Sequence, residues 1–155
     1  MGPQLIASIK EARLESETLA RYLQLKQILA GLGIQLFTGS TRRSEAEQQA
    51  NVEKGVSSTS ISWHLVGRAV DAYPIDPNTG KPDLNGRRGD LFRTMHQQWA
   101  RLGGRGLAYL PYPNGPVRQL TNNQGKKYWD GGHLEFHGPY ATAAAAYQAE
   151  RGRAA

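Results

Sequence analysis

The chain contains no cysteine. That excludes a thiolate metal site, a thiol nucleophile and a disulfide scaffold, so any bound metal must rest on His, Asp or Glu. Aromatic residues are few, with three tryptophans, seven tyrosines and three phenylalanines. None of them interleaves with a cluster of Lys and Arg as a platform for single-stranded nucleic acid would require. There is no run of 18 apolar residues, so no helix that inserts into a membrane is expected. Pro3 to Ser8 is too short for the apolar part of a signal peptide, and Lys10, Glu11 and Arg13 follow at once. The expectation is a chain made in the cytoplasm without a leader.

A length of 155 residues suits a single domain spanning residues 1–155, large enough to bury a core without cross-links. It is expected to act as a monomer. Lys and Arg number 19 against 13 Asp and Glu, a formal charge of +6. Such a surface favours an anionic partner, whether nucleic acid, anionic lipid or the acidic bacterial cell wall. The missing aromatic platform puts nucleic acid behind the wall.

Leu14 to Ala30 reads as a helix with Leu19, Tyr22, Leu23, Ile28 and Leu29 on its apolar face, ended by Gly31 and Gly33. Ile34 to Thr38 reads as a strand. Ser44 and Glu47 have capping-box spacing, so Glu45 to Glu53 is a predicted helix stopped at Gly55. Val56 to Ser62 is a Ser/Thr-rich loop. Ala69 to Tyr73 is a predicted strand ended by Pro74. Asp90 to Leu102 is a second strong helix, burying Leu91, Phe92, Met95, Trp99 and Leu102, with His96 a packing residue. Gly106 to Leu110 reads as a strand, and Pro111 to Gly125 as a long loop of the kind that often walls a substrate cleft. His133 to His137 alternates, with Leu134 and Phe136 on one face and His133, Glu135 and His137 on the other. Tyr140 to Arg151 is an alanine-rich terminal helix. This order predicts an α+β domain with a small, mainly antiparallel sheet flanked by helices.

Only four histidines are present, and two fall in informative settings. One is His64 within Ser62-Trp63-His64-Leu65-Val66-Gly67-Arg68-Ala69-Val70-Asp71. The other is His133 at the end of Asp130-Gly131-Gly132-His133. Two imidazoles and a carboxylate with an open fourth position are what a catalytic zinc requires. Asp130 is a spare carboxylate three residues before the second imidazole, suited to act as a base toward water.

The pattern Ser62-x-His64-x-x-Gly67-x-Ala69-x-Asp71, followed by Asp130-x-x-His133, resembles the zinc peptidases of the D-alanyl-D-alanine carboxypeptidase type, the M15 group. The short chain and the D-x-x-H form look most like phage L-alanyl-D-glutamate endopeptidases acting as endolysins. The resemblance covers roughly residues 34 to 138, with the terminal helices packing on that core. It implies a fold of the hedgehog and DD-peptidase type and one Zn2+ held by His64, Asp71 and His133. It implies that peptidoglycan is the substrate, reached from the cytoplasm by a separate delivery route, with bacteriolysis as the outcome. Asp130 occupies the position of the catalytic base, although Glu135 could take that role. Arg43, in Gly39-Ser40-Thr41-Arg42-Arg43-Ser44, matches an arginine near the substrate; the family's tyrosine is missing there and Arg42 competes with it. Gln49 and Ser62 are further candidates for substrate binding. His137 is left open between a ligand, a donor to the transition state and a wall residue. Two other functions stay in view: a D-Ala-D-Ala carboxypeptidase or dipeptidase, and a non-catalytic wall binder with a structural metal.

Overall fold

The computed structural model describes residues 7–53, 62–106, 120–121, 125, 127–128 and 131–154. After a short 3-10 turn at Glu11–Arg13, the elements are α1 (Ser16–Gly31), β1 (Leu36–Thr38), α2 (Glu45–Glu53), β2 (Ala69–Asp76), β3 (Lys81–Pro82), α3 (Gly89–Arg101), β4 (Arg105–Gly106), β5 (Leu120–Thr121), β6 (Lys127–Tyr128), β7 (His133–Glu135) and α4 (Ala143–Ala154). The five-stranded sheet has the order β1-β2-β7-β4, with β3 paired to β2, and every pairing is antiparallel. This is the expected α+β architecture.

Strand alternation sorts the sheet into two faces. Val70 and Ala72 of β2, with Leu134 of β7 and Phe136 just beyond it, join Phe92, Met95 and Trp99 of α3 and Tyr22, Leu25 and Leu29 of α1 in one core. Each large apolar side chain buried this way contributes about 1.5–3 kcal/mol. Trp99 also spans α3 and the sheet, donating its Nε1–H to the Glu135 carbonyl at 2.9 Å and packing edge-on against Phe136. Asp71, His133 and Glu135 fall on the opposite face.

The details differ from expectation in instructive places. On α1 the buried positions are Thr18, Tyr22, Leu25 and Leu29, whereas Ile28 is exposed. The helix begins only at Ser16 because the Glu15 side chain caps it, accepting from the amides of Glu17 and Thr18. The capping box at α2 forms reciprocally, Ser44 Oγ taking the Glu47 amide at 3.1 Å and Glu47 Oε1 the Ser44 amide at 3.2 Å. Strand β2 does not stop at Pro74 but runs on to Asp76. Asp71 and Ile75 bond toward β1, at Gly39, Ser40 and Gln35, so Pro74 turns its ring nitrogen to the other side. There β7 has already ended, and Pro74 needs only its carbonyl, which accepts from Asp83, so no ladder bond is lost. The Pro111–Gly125 stretch is not all loop: Leu120–Thr121 pairs with Lys127–Tyr128. The Gly55 stop, the loop before Ser62, the extension of β4 beyond Gly106 and the rest of the long loop lie outside the described residues. Helix α4 starts later than expected, at Ala143, with the Thr142 hydroxyl accepting the Ala145 amide.

Candidate metal centre

The register of β2 against β7 builds half of the centre. Asp71 pairs directly with His133, and Ala69 with Glu135. Cross-strand partners on one face stand close enough for their side chains to meet. His64 arrives from a tight turn in which the Gly67 amide bonds to the His64 carbonyl and the Arg68 amide to the Trp63 carbonyl. Gly67 has φ +70°, a conformation costly for any residue with a side chain, so the motif glycine serves the turn. Ala69, fully buried opposite Glu135, leaves room for the longer carboxylate.

Three ligand atoms converge. His64, Asp71 and His133 are all buried, and each offers one nitrogen or carboxylate oxygen within 4.8 Å of the others. His64 Nε2 lies 3.2 Å from Asp71 Oδ1, and His133 Nδ1 lies 3.3 Å from the same oxygen. The outer nitrogen of each ring is also committed. His64 Nδ1 is 2.7 Å from the Thr41 carbonyl, which can only accept, and His133 Nε2 is 2.9 Å from Glu135 Oε1. His64 Nδ1 therefore carries a hydrogen for the Thr41 carbonyl, and the inner nitrogens of both rings face the Asp71 oxygen. Three lone-pair donors facing one another repel unless protons or a cation lie among them. The donor set, two imidazoles and a carboxylate, suits a divalent metal such as zinc.

Burial alone would raise the Asp71 carboxyl, but His64 and His133 hold it well below the usual carboxylate range. Glu135 is lowered too: burial opposes ionisation, yet the N–H groups of His133 and His137 outweigh it. Both residues are thus carboxylates in the folded chain.

The two arginines point in different directions. Arg43 reaches Asp71 Oδ2 at 3.6 Å and donates to Gln48 Oε1 at 3.1 Å, while its amide bonds to the His64 carbonyl. Arg42 turns away, to Glu150 at 2.7 Å and the Arg13 carbonyl at 2.9 Å. Ser62 lies beside the site, donating from Oγ to Gln48 at 3.1 Å. Gln49 faces outward and is exposed; its neighbour Gln48 is the buried glutamine that joins Ser62 to Arg43. The signal that separates the two was available: Gln48 is four residues from the cap Ser44, on the inner side of α2. Asp130 lies outside the described residues. His96 packs on α3 as expected and donates from Nε2 to the Gly131 carbonyl at 2.6 Å; burial pushes its pKa down to about 4, so it is neutral at physiological pH. His137 does not join the three ligands, and it stacks on Trp63 instead.

No family model matches the sequence, and no curated protein does. The fold, however, is similar to that of two solved structures. One is the L-Ala D-Glu endopeptidase ChiX of Serratia marcescens, at a TM-score of 0.52 and 18% identity, covering 82% of this chain and 83% of that one. The other is the LdcB LD-carboxypeptidase, described for its recognition of peptidoglycan, at a TM-score of 0.56 and 16% identity, covering 96% of this chain and 68% of that one. The chain therefore shares the fold of these peptidoglycan peptidases and carries a buried His-Asp-His group able to bind a metal.

Proposed function

We propose that the chain is a zinc-dependent peptidase that cuts the L-Ala to D-Glu bond of peptidoglycan stem peptides. The observation that carries this reading is the convergence of His64 Nε2, Asp71 Oδ1 and His133 Nδ1, with both outer ring nitrogens engaged, on a fold shared with two peptidoglycan peptidases. Zinc, when bound, supplies Lewis acidity, lowering the pKa of water and polarising a carbonyl. His64, Asp71 and His133 hold and orient it. Arg43 presents its guanidinium beside Asp71 and serves the negative charge that develops on the substrate oxygen. Asp130 takes the proton from the attacking water and passes it to the leaving amine. Assigning the base to Asp130 rather than Glu135 is supported by the Glu135 carboxylate having both oxygens committed, to His133 and His137. The charge of +6 suits an acidic wall polymer. On this reading the protein acts as a monomer, and a lytic role of the endolysin kind follows from the same cleavage.

The test is digestion of purified peptidoglycan with chelator, and again with zinc restored, with products read by mass spectrometry. New L-Ala carboxyl and D-Glu amino ends that vanish with chelator and return with zinc bear the reading out. Free D-alanine would move the activity to a carboxypeptidase. Absence of any product from the folded, zinc-loaded protein would leave a wall-binding role, and Asp130→Ala should bind wall yet release nothing if the reading is right.

A further inference from the structure

The rings of Trp63 and His137 stack with centroids 3.8 Å apart and planes 11° from parallel. His137 Nε2 lies 2.6 Å from Glu135 Oε2, and the other oxygen of that carboxylate is 2.9 Å from His133 Nε2. A carboxylate only accepts, so both imidazoles donate to it. Trp63 immediately precedes the ligand His64, and His137 follows the ligand His133 by four residues.

From this geometry we infer that Trp63 and His137 are positioning residues for the metal cage, a inter-segment clamp that fixes the ring of His133 through Glu135. The inference rests on the metal-binding reading given above. The direction of the His133 Nδ1 lone pair is set by where the opposite N–H is anchored. The anchor is Glu135, whose terminal torsion is intrinsically broad. One N–H bond leaves the carboxylate free to rotate about that bond; the second, from His137, fixes its plane. His137 could itself turn about its ring torsion, and the flat contact with Trp63 holds it. The Phe136 amide bonds to the Arg68 carbonyl at 2.8 Å, which carries the pairing of the two ligand segments past Glu135 and brings His137 to Trp63. The clamp therefore joins the segment bearing His64 to the segment bearing His133, in a chain Trp63, His137, Glu135, His133.

The experiment measures zinc affinity by competition with a chromophoric chelator, for the wild type, His137→Leu, His137→Gln and Trp63→Leu. His137→Leu should weaken zinc binding about 10–100-fold, the usual cost of losing a partner that orients a ligand. His137→Gln keeps an N–H donor and should recover much of the loss, and Trp63→Leu should weaken binding in the same direction. A merely structural role would lower melting temperature in chelator without this pattern of rescue. In the metal-free wild type, long-range 15N correlation spectra should show His133 as the Nε2–H tautomer; the opposite tautomer would overturn the inference whatever the variants do. Unchanged zinc affinity in a folded His137→Leu protein would overturn it too. A wild type that binds no zinc would instead sink the functional reading beneath it.

Discussion

Asp71 and His133 are register partners across β2 and β7, with one carboxylate oxygen 3.3 Å from the imidazole Nδ1. A slip of β7 by one residue would send His133 to the core face and bring Leu134 to the site beside Asp71. The centre is therefore as well defined as the strand pairing beneath it, and the pairing is enforced by the burial of Val70 and Leu134.

Metal should stabilise the fold because the cage exists only in the native chain. At a free zinc concentration about 100 times its Kd, linkage gives about 2.7 kcal/mol. For a domain of this size that raises Tm by roughly 5–11 °C. Scanning calorimetry with zinc and then with chelator checks it. Asp71→Asn and His64→Ala should lose the increment.

Arg43→Ala should lower the rate of peptidoglycan cleavage by about 10²–10³, the usual cost of removing one donor from an oxyanion site. Arg43→Lys should not restore it, because a single ammonium cannot serve Asp71, Gln48 and substrate together as the guanidinium fork does. Arg42→Ala, whose side chain engages Glu150 and the Arg13 carbonyl, should keep its rate. Steady-state release of muropeptide ends from the three variants decides the matter.

Gly132→Ala should loosen β7. A β-carbon there would lie 2.8 Å from the Ala72 carbonyl and 2.7 Å from the Tyr73 ring. The carbonyl is main chain and cannot swing aside, so the strands must part, at a cost of about 1–3 kcal/mol. Urea unfolding measures that cost. An unchanged midpoint would show that the chain accommodates the methyl.

Acid should weaken the protein through Glu11. This carboxyl is 1% exposed, and burial alone would raise its pKa. Lys26 at 2.8 Å, the Ser8 amide at 3.0 Å and the Thr38 hydroxyl at 2.6 Å outweigh burial and hold it below its ordinary 4.5. A pKa lowered in the folded state contributes stability that is present above 4.5 and lost as pH falls through the native value. Glu11→Gln should flatten that slope, and should cost about 1–3 kcal/mol near neutral pH by leaving Lys26 and Thr38 with a poorer acceptor. Urea titrations over a pH series read both effects.

The candidate metal-binding group was legible because its signal is local. His64, Gly67, Ala69 and Asp71 lie within one short segment whose spacing reflects a turn and a strand, and the alternation around His133 revealed its face. The Glu11 network was not legible. Its members Glu11, Lys26 and Thr38 come from a turn, a helix and a strand, and nothing in the sequence marks a charged residue for burial. Pro74 misled for a related reason: its missing donor matters only if a neighbour needs it, and that depends on where β7 ends. Gln49 is a candidate in the sequence, but adjacent glutamines look alike until the helix phase is fixed, and it is Gln48 that is buried against Ser62 and Arg43.

Thr41 contributes to the centre through its main-chain oxygen, which holds the His64 ring, while its hydroxyl is spent on the Lys10 carbonyl at 2.7 Å. No side-chain replacement at position 41 deletes that oxygen. An alanine scan would record Thr41 as a residue of stability alone, although its peptide group fixes the tautomer of His64. Part of the site's chemistry is thus written in the path of the chain and is inherited by any sequence that keeps the path.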